Sequence, residues 1–293
     1  MIRFTAIIFA FLLATPAVAF DIGGFGIGTG SNKDSAARRV HNVQQMMKFA
    51  SALIPLSDKE EMILGKQVAA RVIERYGIEN APEATYYLNL MATAIAQRSE
   101  RPDIPYRVAI LATDDVNAYA CPGGYIFVTR GVLKMVHDEA ELAAVLAHEI
   151  SHVTQRHIVS ALQNSELMQV GTEVVAQAFQ APGPLLEQMT SFATDALFEG
   201  LDKADEYDAD EWSVEYLSRL GYDYPAMFDI LELLEQRRKW GATKVLDKTH
   251  PSPKDRIRTL KSAEKRLSLE KPTGIRLPDR LVRHTRNIKK DAS

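Results

Sequence analysis

Residues 142–157 read LAAVLAHEISHVTQRH. The first six, Leu142 to Ala147, are apolar on every side, which is the pattern of a helix inside a core. Into that core the chain then places His148, Glu149 and His152. A buried polar group left without a partner costs on the order of 1–3 kcal/mol, so three of them together demand one. Histidines four residues apart lie one helical turn apart on nearly the same face, from which two imidazoles reach a single metal ion. Glu149 is close enough to that point to address a water without being a ligand itself. The H-E-x-x-H pattern thus joins two nitrogen donors to a carboxylate base, the set that metal-assisted attack on a peptide carbonyl requires. His157, five positions beyond His152, turns off that face and reads as a surface histidine.

A catalytic site of this kind wants a third protein ligand and leaves a fourth position open. The acidic stretch LDKADEYDADEWSVEYL, residues 201–217, is the best source. Spacing by four selects Asp202 with Glu206, Glu206 with Asp210, and Glu211 with Glu215, so helical geometry alone does not choose among them.

Outward from the central helix the chain is mostly helical. SDKEEMILGKQVAARVIERYG (57–77) opens with Ser57 and Glu60 in capping-box spacing and stops at Gly77, and APEATYYLNLMATAIAQRS (81–99) predicts a second helix. YRVAILA (106–112) and GYIFVTRG (124–131) are rich in β-branched and aromatic residues and predict two strands, with TDDVNAYACPGG (113–124) as a turn-rich loop between them. Beyond Asp138 the pattern predicts helices over 138–158, 160–180, 204–220, 224–239 and 253–269. Helices, a small sheet, then more helices describe an α+β domain in which the sheet is the minority component.

The chain ends suggest export. An apolar run from Phe4 to Leu13 followed by Ala17-Val18-Ala19 predicts a cleavable secretory signal over 1–19, with no cysteine behind it to carry a lipid anchor. The periplasm is the implied location. Residues 20–56 read as a Gly-rich leader with an N-terminal helix, 57–269 as the main domain and 270–293 as a basic tail. Between Lys254 and Lys290, 13 Lys or Arg stand against four Asp or Glu, although the whole chain has a net charge of -3. That excess suits a helix and tail lying on the acidic body of the same protein, or a contact with an anionic membrane face. Nothing in the charge or motifs points to nucleic acid. Cys121 is the single cysteine, so no internal disulfide forms; a small buried side chain is the ordinary reading and a thiolate ligand the alternative.

Four motifs in order, N-A-Y-A-C-P-G-G-Y-I-F-V-T-R-G (117–131), H-E-I-S-H (148–152), E-Y-D-A-D (206–210) and T-H-P-S-P-K-D-R (249–256), resemble the HtpX, BepA and LoiP group of zinc metallopeptidases over roughly residues 55–260. The resemblance implies a mostly helical zincin-type fold and one Zn2+ per chain, held by His148, His152 and Glu206. It further implies Glu149 as the base, Asp210 as a carboxylate orienting a ligand histidine, and His250 approaching the metal from above to steady an oxyanion or to block the open position. Asn117 falls beside the active site, Gly124, Tyr125, Ile126 and Phe127 on an edge strand that receives an extended substrate, and Arg256 at a supporting position. The membrane spans of some relatives and the helical-repeat C-terminus of the BepA type are not expected. The implied function is an envelope zinc endopeptidase acting on unfolded or misassembled proteins, with peripheral contact to the membrane or to outer-membrane assembly machinery. The competing reading is a chaperone-like binder in which zinc is structural or the site is plugged.

Overall fold

The structure, a computed structural model, describes residues 56–239, 250–267 and 274–289. The expected signal, and the leader up to residue 55, lie outside the described residues. Helix α1 (Asp58–Tyr76) starts where the sequence signals it: Glu60 N–H donates to the Ser57 hydroxyl and the Glu60 carboxylate accepts from Ser57 N–H, closing a capping box. It stops at Gly77, whose φ of 68° takes the chain out of the helix. Helix α2 (Pro82–Ala96) places proline in its first turn, where a missing N–H costs nothing.

Three strands follow, not two. β1 (Arg107–Leu111), β2 (Ala118–Cys121) and β3 (Tyr125–Thr129) form a sheet in the order β1-β3-β2. β3 runs parallel to β1, Arg107 opposite Tyr125, and antiparallel to β2, Ala118 opposite Val128. The extra strand lies inside the stretch that its Asp, Asn, Pro and Gly content marks as loop. Its four residues are all buried, so tertiary packing overrides the turn chemistry around them. A Pro122–Gly124 turn joins β2 to β3, with Gly123 and Gly124 at φ of 70° and 90°. α1 packs hard against this turn: a Cβ on Gly65 would sit 1.7 Å from the Pro122 carbonyl oxygen.

This order corrects one expectation. β3, which carries Tyr125, Ile126 and Phe127, is the central strand and both of its edges are paired, so it cannot receive a further strand. The outer edge of β1 is also covered: the Asn89 side chain accepts from Val108 N–H (2.9 Å) and donates to its carbonyl (2.7 Å), while Ile78 bridges to Leu111. Among the described residues, the far edge of β2 has neither a strand nor an isolated bridge beside it.

The remaining elements are helices: α3 (Arg130–Met135), α4 (Glu139–Thr154), α5 (His157–Gln163), α6 (Thr172–Gln180), α7 (Pro184–Glu199), α8 (Lys203–Arg219), α9 (Ala226–Lys239), α10 (Pro253–Leu267) and α11 (Pro278–Lys289). The expected helix 138–158 ends at Thr154, and a bend at Arg156, with φ of 59°, starts α5 in a new direction. The expected helix 160–180 is likewise three pieces, α5, a short 3-10 segment Glu166–Val170 and α6. Alternate residues of the strands face opposite ways into two cores. Val108, Ile110, Ile126 and Val128 join α2, α4 and α8–α11, whereas Leu111, Tyr119, Cys121 and Phe127 join α1 and α5–α7. The mostly helical α+β class read from the sequence is the class observed.

The basic C-terminal stretch is not a loose tail over its described part. α11 buries Leu281, Thr285 and Ile288, Arg276 pairs with Asp138, Asp223 and Asp229, and Arg280 pairs with the buried Glu139. It lies on acidic residues of its own chain, the first of the two readings its charge allowed. No helix of the described residues is long and apolar enough to cross a membrane.

Candidate metal centre

α4 is buried along almost its whole length, and its Asp138 cap accepts from Glu141 N–H at 2.9 Å. One turn apart on it, the Nε2 atoms of His148 and His152 lie 3.2 Å from each other. α8 runs across α4 and brings up Glu206, whose Oε2 is 3.6 Å from His148 Nε2 and whose Oε1 is 3.6 Å from His152 Nε2. Two ligand atoms bound tetrahedrally at about 2.0–2.1 Å stand about 3.3 Å apart, and each pair among these three stands near that separation, the carboxylate meeting each histidine through a different oxygen. Glu206 is therefore the acid, among those that spacing left open, that meets both histidines.

The donor set also fits a divalent cation electrostatically. Glu206 Oε2 is buried and has no hydrogen-bond partner among the described residues. Burial alone would raise the Glu206 pKa, yet His250, His148, His152 and Arg256 together hold it well below the usual carboxylate range. Burial keeps His152 neutral, with its pKa far below the ordinary histidine value. His148 goes the other way: burial and Arg256 lower its pKa, but Asp210 and Glu206 outweigh them and lift it to about 9. Without a cation between them, the carboxylates draw a proton onto His148; a bound cation supplies the same charge.

Around these three the structure gathers most of the residues singled out in the sequence. Glu149 is buried beside them, and desolvation, reinforced by the Glu206 charge, pushes its pKa up to about 7. Asp210 Oδ1 lies 3.1 Å from His148 Nδ1 and accepts from Arg256 Nη2 at 2.5 Å, while its Oδ2 accepts from Arg256 Nε at 2.9 Å. Carboxylate and guanidinium form a two-pronged pair with both partners buried. His250 Nε2 is 3.5 Å from Glu206 Oε2, and the ligand atoms of His148, Glu206 and His250 all lie within 4.8 Å of one another. Burial lowers the His250 pKa to about 4.

Asn117 stands at the start of β2. Its N–H donates to Thr129 Oγ1 and its Oδ1 accepts from Ala118 N–H, while its buried Nδ2 has no hydrogen-bond partner among the described residues. It lines a cleft of about 430 Å³, mouth included, with His148, Glu149, His250, Arg256 and the apolar side chains of Val116, Val132, Met135, Val145, Met227, Ile230 and Leu234. The sequence reading missed these apolar residues, since in a linear sequence they are ordinary core positions.

Other expectations change. Gly124, Tyr125, Ile126 and Phe127 do not line this cleft; Tyr125, Ile126 and Phe127 border a separate groove against Lys66, Ala70 and Ile73 of α1. Cys121 is fully buried, and desolvation, with the nearby Glu149 charge, pushes its thiol well above the ordinary value. Among the described residues, the ligand atoms that lie mutually within 4.8 Å are those of His148, Glu206 and His250, a group that contains neither Cys121 nor His152. His157, expected on the surface, is only 6% exposed, and its Nδ1 lies 2.9 Å from His152 Nδ1. The bend at Arg156, for which the sequence carries no glycine signal, returns it to the face it would otherwise leave.

An H-E-x-x-H helix crossed by a second helix that brings a glutamate to both histidines defines a class, the H-E-x-x-H metallopeptidases. Residues 82–264 match Peptidase family M48, and the chain belongs to that family. It is 28% identical to the beta-barrel assembly-enhancing protease of Escherichia coli (strain K12) over 215 residues, 71% of this chain and 44% of that protein. To the metalloprotease YcaL of the same organism it is 23% identical over 244 residues, 80% of this chain and 94% of YcaL. To the metalloprotease LoiP it is 25% identical over 214 residues, 70% and 81% of the two chains. The chain thus spans less than half the length of the beta-barrel assembly-enhancing protease.

Proposed function

We propose that the chain is a zinc-dependent endopeptidase of the bacterial cell envelope, exported by residues 1–19 and acting in the periplasm on unfolded or misassembled proteins. The observation that carries this reading is the convergence of His148, His152 and Glu206 beside the buried base Glu149. One zinc ion per chain would be held by those three side chains and, when bound, would supply Lewis acidity toward water and toward the scissile carbonyl. Glu149 takes a proton from the attacking water and returns it to the leaving amine. Burial raises its pKa above the usual carboxylate range, which favours its taking up the proton. Asp210 Oδ1, held by Arg256 and 3.1 Å from His148 Nδ1, is placed to accept from Nδ1–H in competition with Arg256 Nη2 at 3.3 Å, and so to leave Nε2 facing the centre. His250, neutral at physiological pH, is placed to donate an N–H to the developing oxyanion.

Substrate binding belongs to β2, not to β3. An extended peptide adds to the far edge of β2 by main-chain pairing, with Asn117 Nδ2 as a further donor. The cleft beside Glu149 then takes an apolar side chain next to the scissile bond, which suits sequences that a folded protein buries. Two of the relatives are metalloproteases by name and another a protease that enhances β-barrel assembly. Misassembled outer-membrane proteins are the corresponding substrates here, with peripheral contact to the assembly machinery. Residues 57–269 make up the peptidase domain.

The test is degradation of casein by the zinc-loaded chain beside its Glu149→Gln variant. Wild type should cleave, and the variant should bind zinc equally while its rate falls at least 100-fold, the scale of a lost general base. Equal cleavage by the two removes Glu149 from the chemistry.

A further inference from the structure

We propose that His157 is a positioning residue for the metal centre: its Nδ1 accepts a hydrogen bond from His152 Nδ1–H, and Asp208, with Asp205 behind it, fixes the tautomer that makes this possible. The inference rests on the reading of His148, His152 and Glu206 as zinc ligands.

Were α4 continuous, a residue five positions beyond His152 would point about 140° away from it. The chain instead bends at Arg156, held at φ of 59°, where a side chain other than glycine is strained. Arg156 is clamped there: its guanidinium lies 2.9 Å from Glu61 Oε2 and donates to the Leu56 carbonyl. Glu61 is fully buried and also accepts from both Arg101 Nη atoms and from Gly123 N–H. A strained bend held by a buried ion-pair network brings His157 back onto His152, 5.0 Å between ring centroids and 73° between ring planes.

Only one assignment of protons satisfies this arrangement. Two Nδ1 atoms 2.9 Å apart must share one proton, one donating and one accepting. If His157 donated, His152 would carry its proton on Nε2, aimed at Glu206 and blocking any cation. The lone pair on His157 Nε2 would then face the carboxylates of Asp208 at 3.3 Å and Asp205 at 3.9 Å. With His152 donating, both conflicts vanish. His157 Nε2–H points at the carboxylates, and His152 Nε2 offers its lone pair to the centre. Each neutral histidine ligand then has its outer nitrogen fixed, His148 by Asp210 directly and His152 by Asp208 through an interposed imidazole.

The experiment measures zinc affinity of the full chain by chelator competition at neutral pH, with the visible spectrum of the cobalt-loaded protein as second readout. His157→Phe keeps the ring and removes the acceptor; His157→Asn restores an oxygen near the position of Nδ1. His157→Phe should weaken zinc binding about 10–100-fold, as loss of an outer partner of a metal-bound histidine does, and should shift the cobalt bands. His157→Asn should recover most of the affinity. Thermal unfolding of the zinc-free proteins reports whether the fold is intact. If His157→Phe does not fold, the Asp205→Ala, Asp208→Ala double variant on the half-exposed side of α8 should show a loss in the same direction. Wild-type affinity and spectrum in whichever of these variants folds, with zinc lost in His152→Ala, would overturn the role of His157 alone. Wild-type affinity in His152→Ala would overturn the zinc-ligand reading beneath it.

Discussion

Glu206 is a buried carboxylate surrounded by imidazoles and one guanidinium, with an oxygen that nothing among the described residues hydrogen-bonds. The charge balance around it depends on Arg256, the buried cation that also grips Asp210. Removing one partner of a buried ion pair strands the other, at a cost of about 3–5 kcal/mol. Arg256→Met should therefore lower the stability of the zinc-free protein by that amount in urea unfolding at neutral pH, and a loss under about 1 kcal/mol would contradict the pairing. At this scale the sequence was legible wherever one helix holds both partners. His148, Glu149 and His152 announce themselves by spacing alone. Glu206 does not, because its selection over Asp202 or Glu215 is made by the crossing of α4 and α8, and only the family resemblance pointed to it. His157 was misread because the bend at Arg156 depends on a clamp from Glu61, 95 positions earlier in the chain.

Among the elements, α4 holds the centre in place, and its first turn is gripped from outside. Glu139 accepts from Tyr87 and Tyr222, each at 2.5 Å, and pairs with Arg280 of α11. Burial acts to raise the Glu139 pKa, but Arg280 and the two tyrosines outweigh it and hold it below the ordinary carboxylate value. A group with a depressed folded-state pKa stabilises the protein above its unfolded value, and that contribution fades as pH falls through the folded one. Glu139→Gln should thus cost about 1.5–3 kcal/mol at pH 7, the range for hydrogen bonds to a charged group, and its deficit against wild type should shrink as pH falls below 4.5, the value from which its pKa is lowered. Melting temperatures of both proteins at pH 7 and pH 3.5 check this, and a deficit that does not change with pH would contradict it. Strands β1 and β3 were readable from their Val, Ile and Phe content. β2 was not, since Ala118–Cys121 lacks polar alternation and is defined as a strand by its pairing with β3. The expectation that β3 is an edge strand came from the family resemblance, and the pairing of β3 with both β1 and β2 is what rules it out.

Over the whole molecule, the sheet divides two cores, and the cleft lined by His148 and Glu149 lies beside Ala118 of β2, whose far edge has neither a strand nor an isolated bridge beside it among the described residues. The class of fold was legible from composition and periodicity, and so was the tendency of a basic C-terminus to lie on an acidic body. The helical form of that segment and its grip on α4 were not, because they depend on acids scattered from Asp138 to Asp229. What unites these levels is the claim that the fold assembles a zinc site from two imidazoles and a carboxylate and leaves Cys121 outside it. X-ray absorption at the zinc edge of the loaded full chain tests that claim most directly. The account predicts nitrogen and oxygen neighbours alone at about 2.0–2.2 Å, with the outer-ring scattering of at least two imidazoles. A sulfur neighbour at about 2.3 Å, or no imidazole signal, would contradict it.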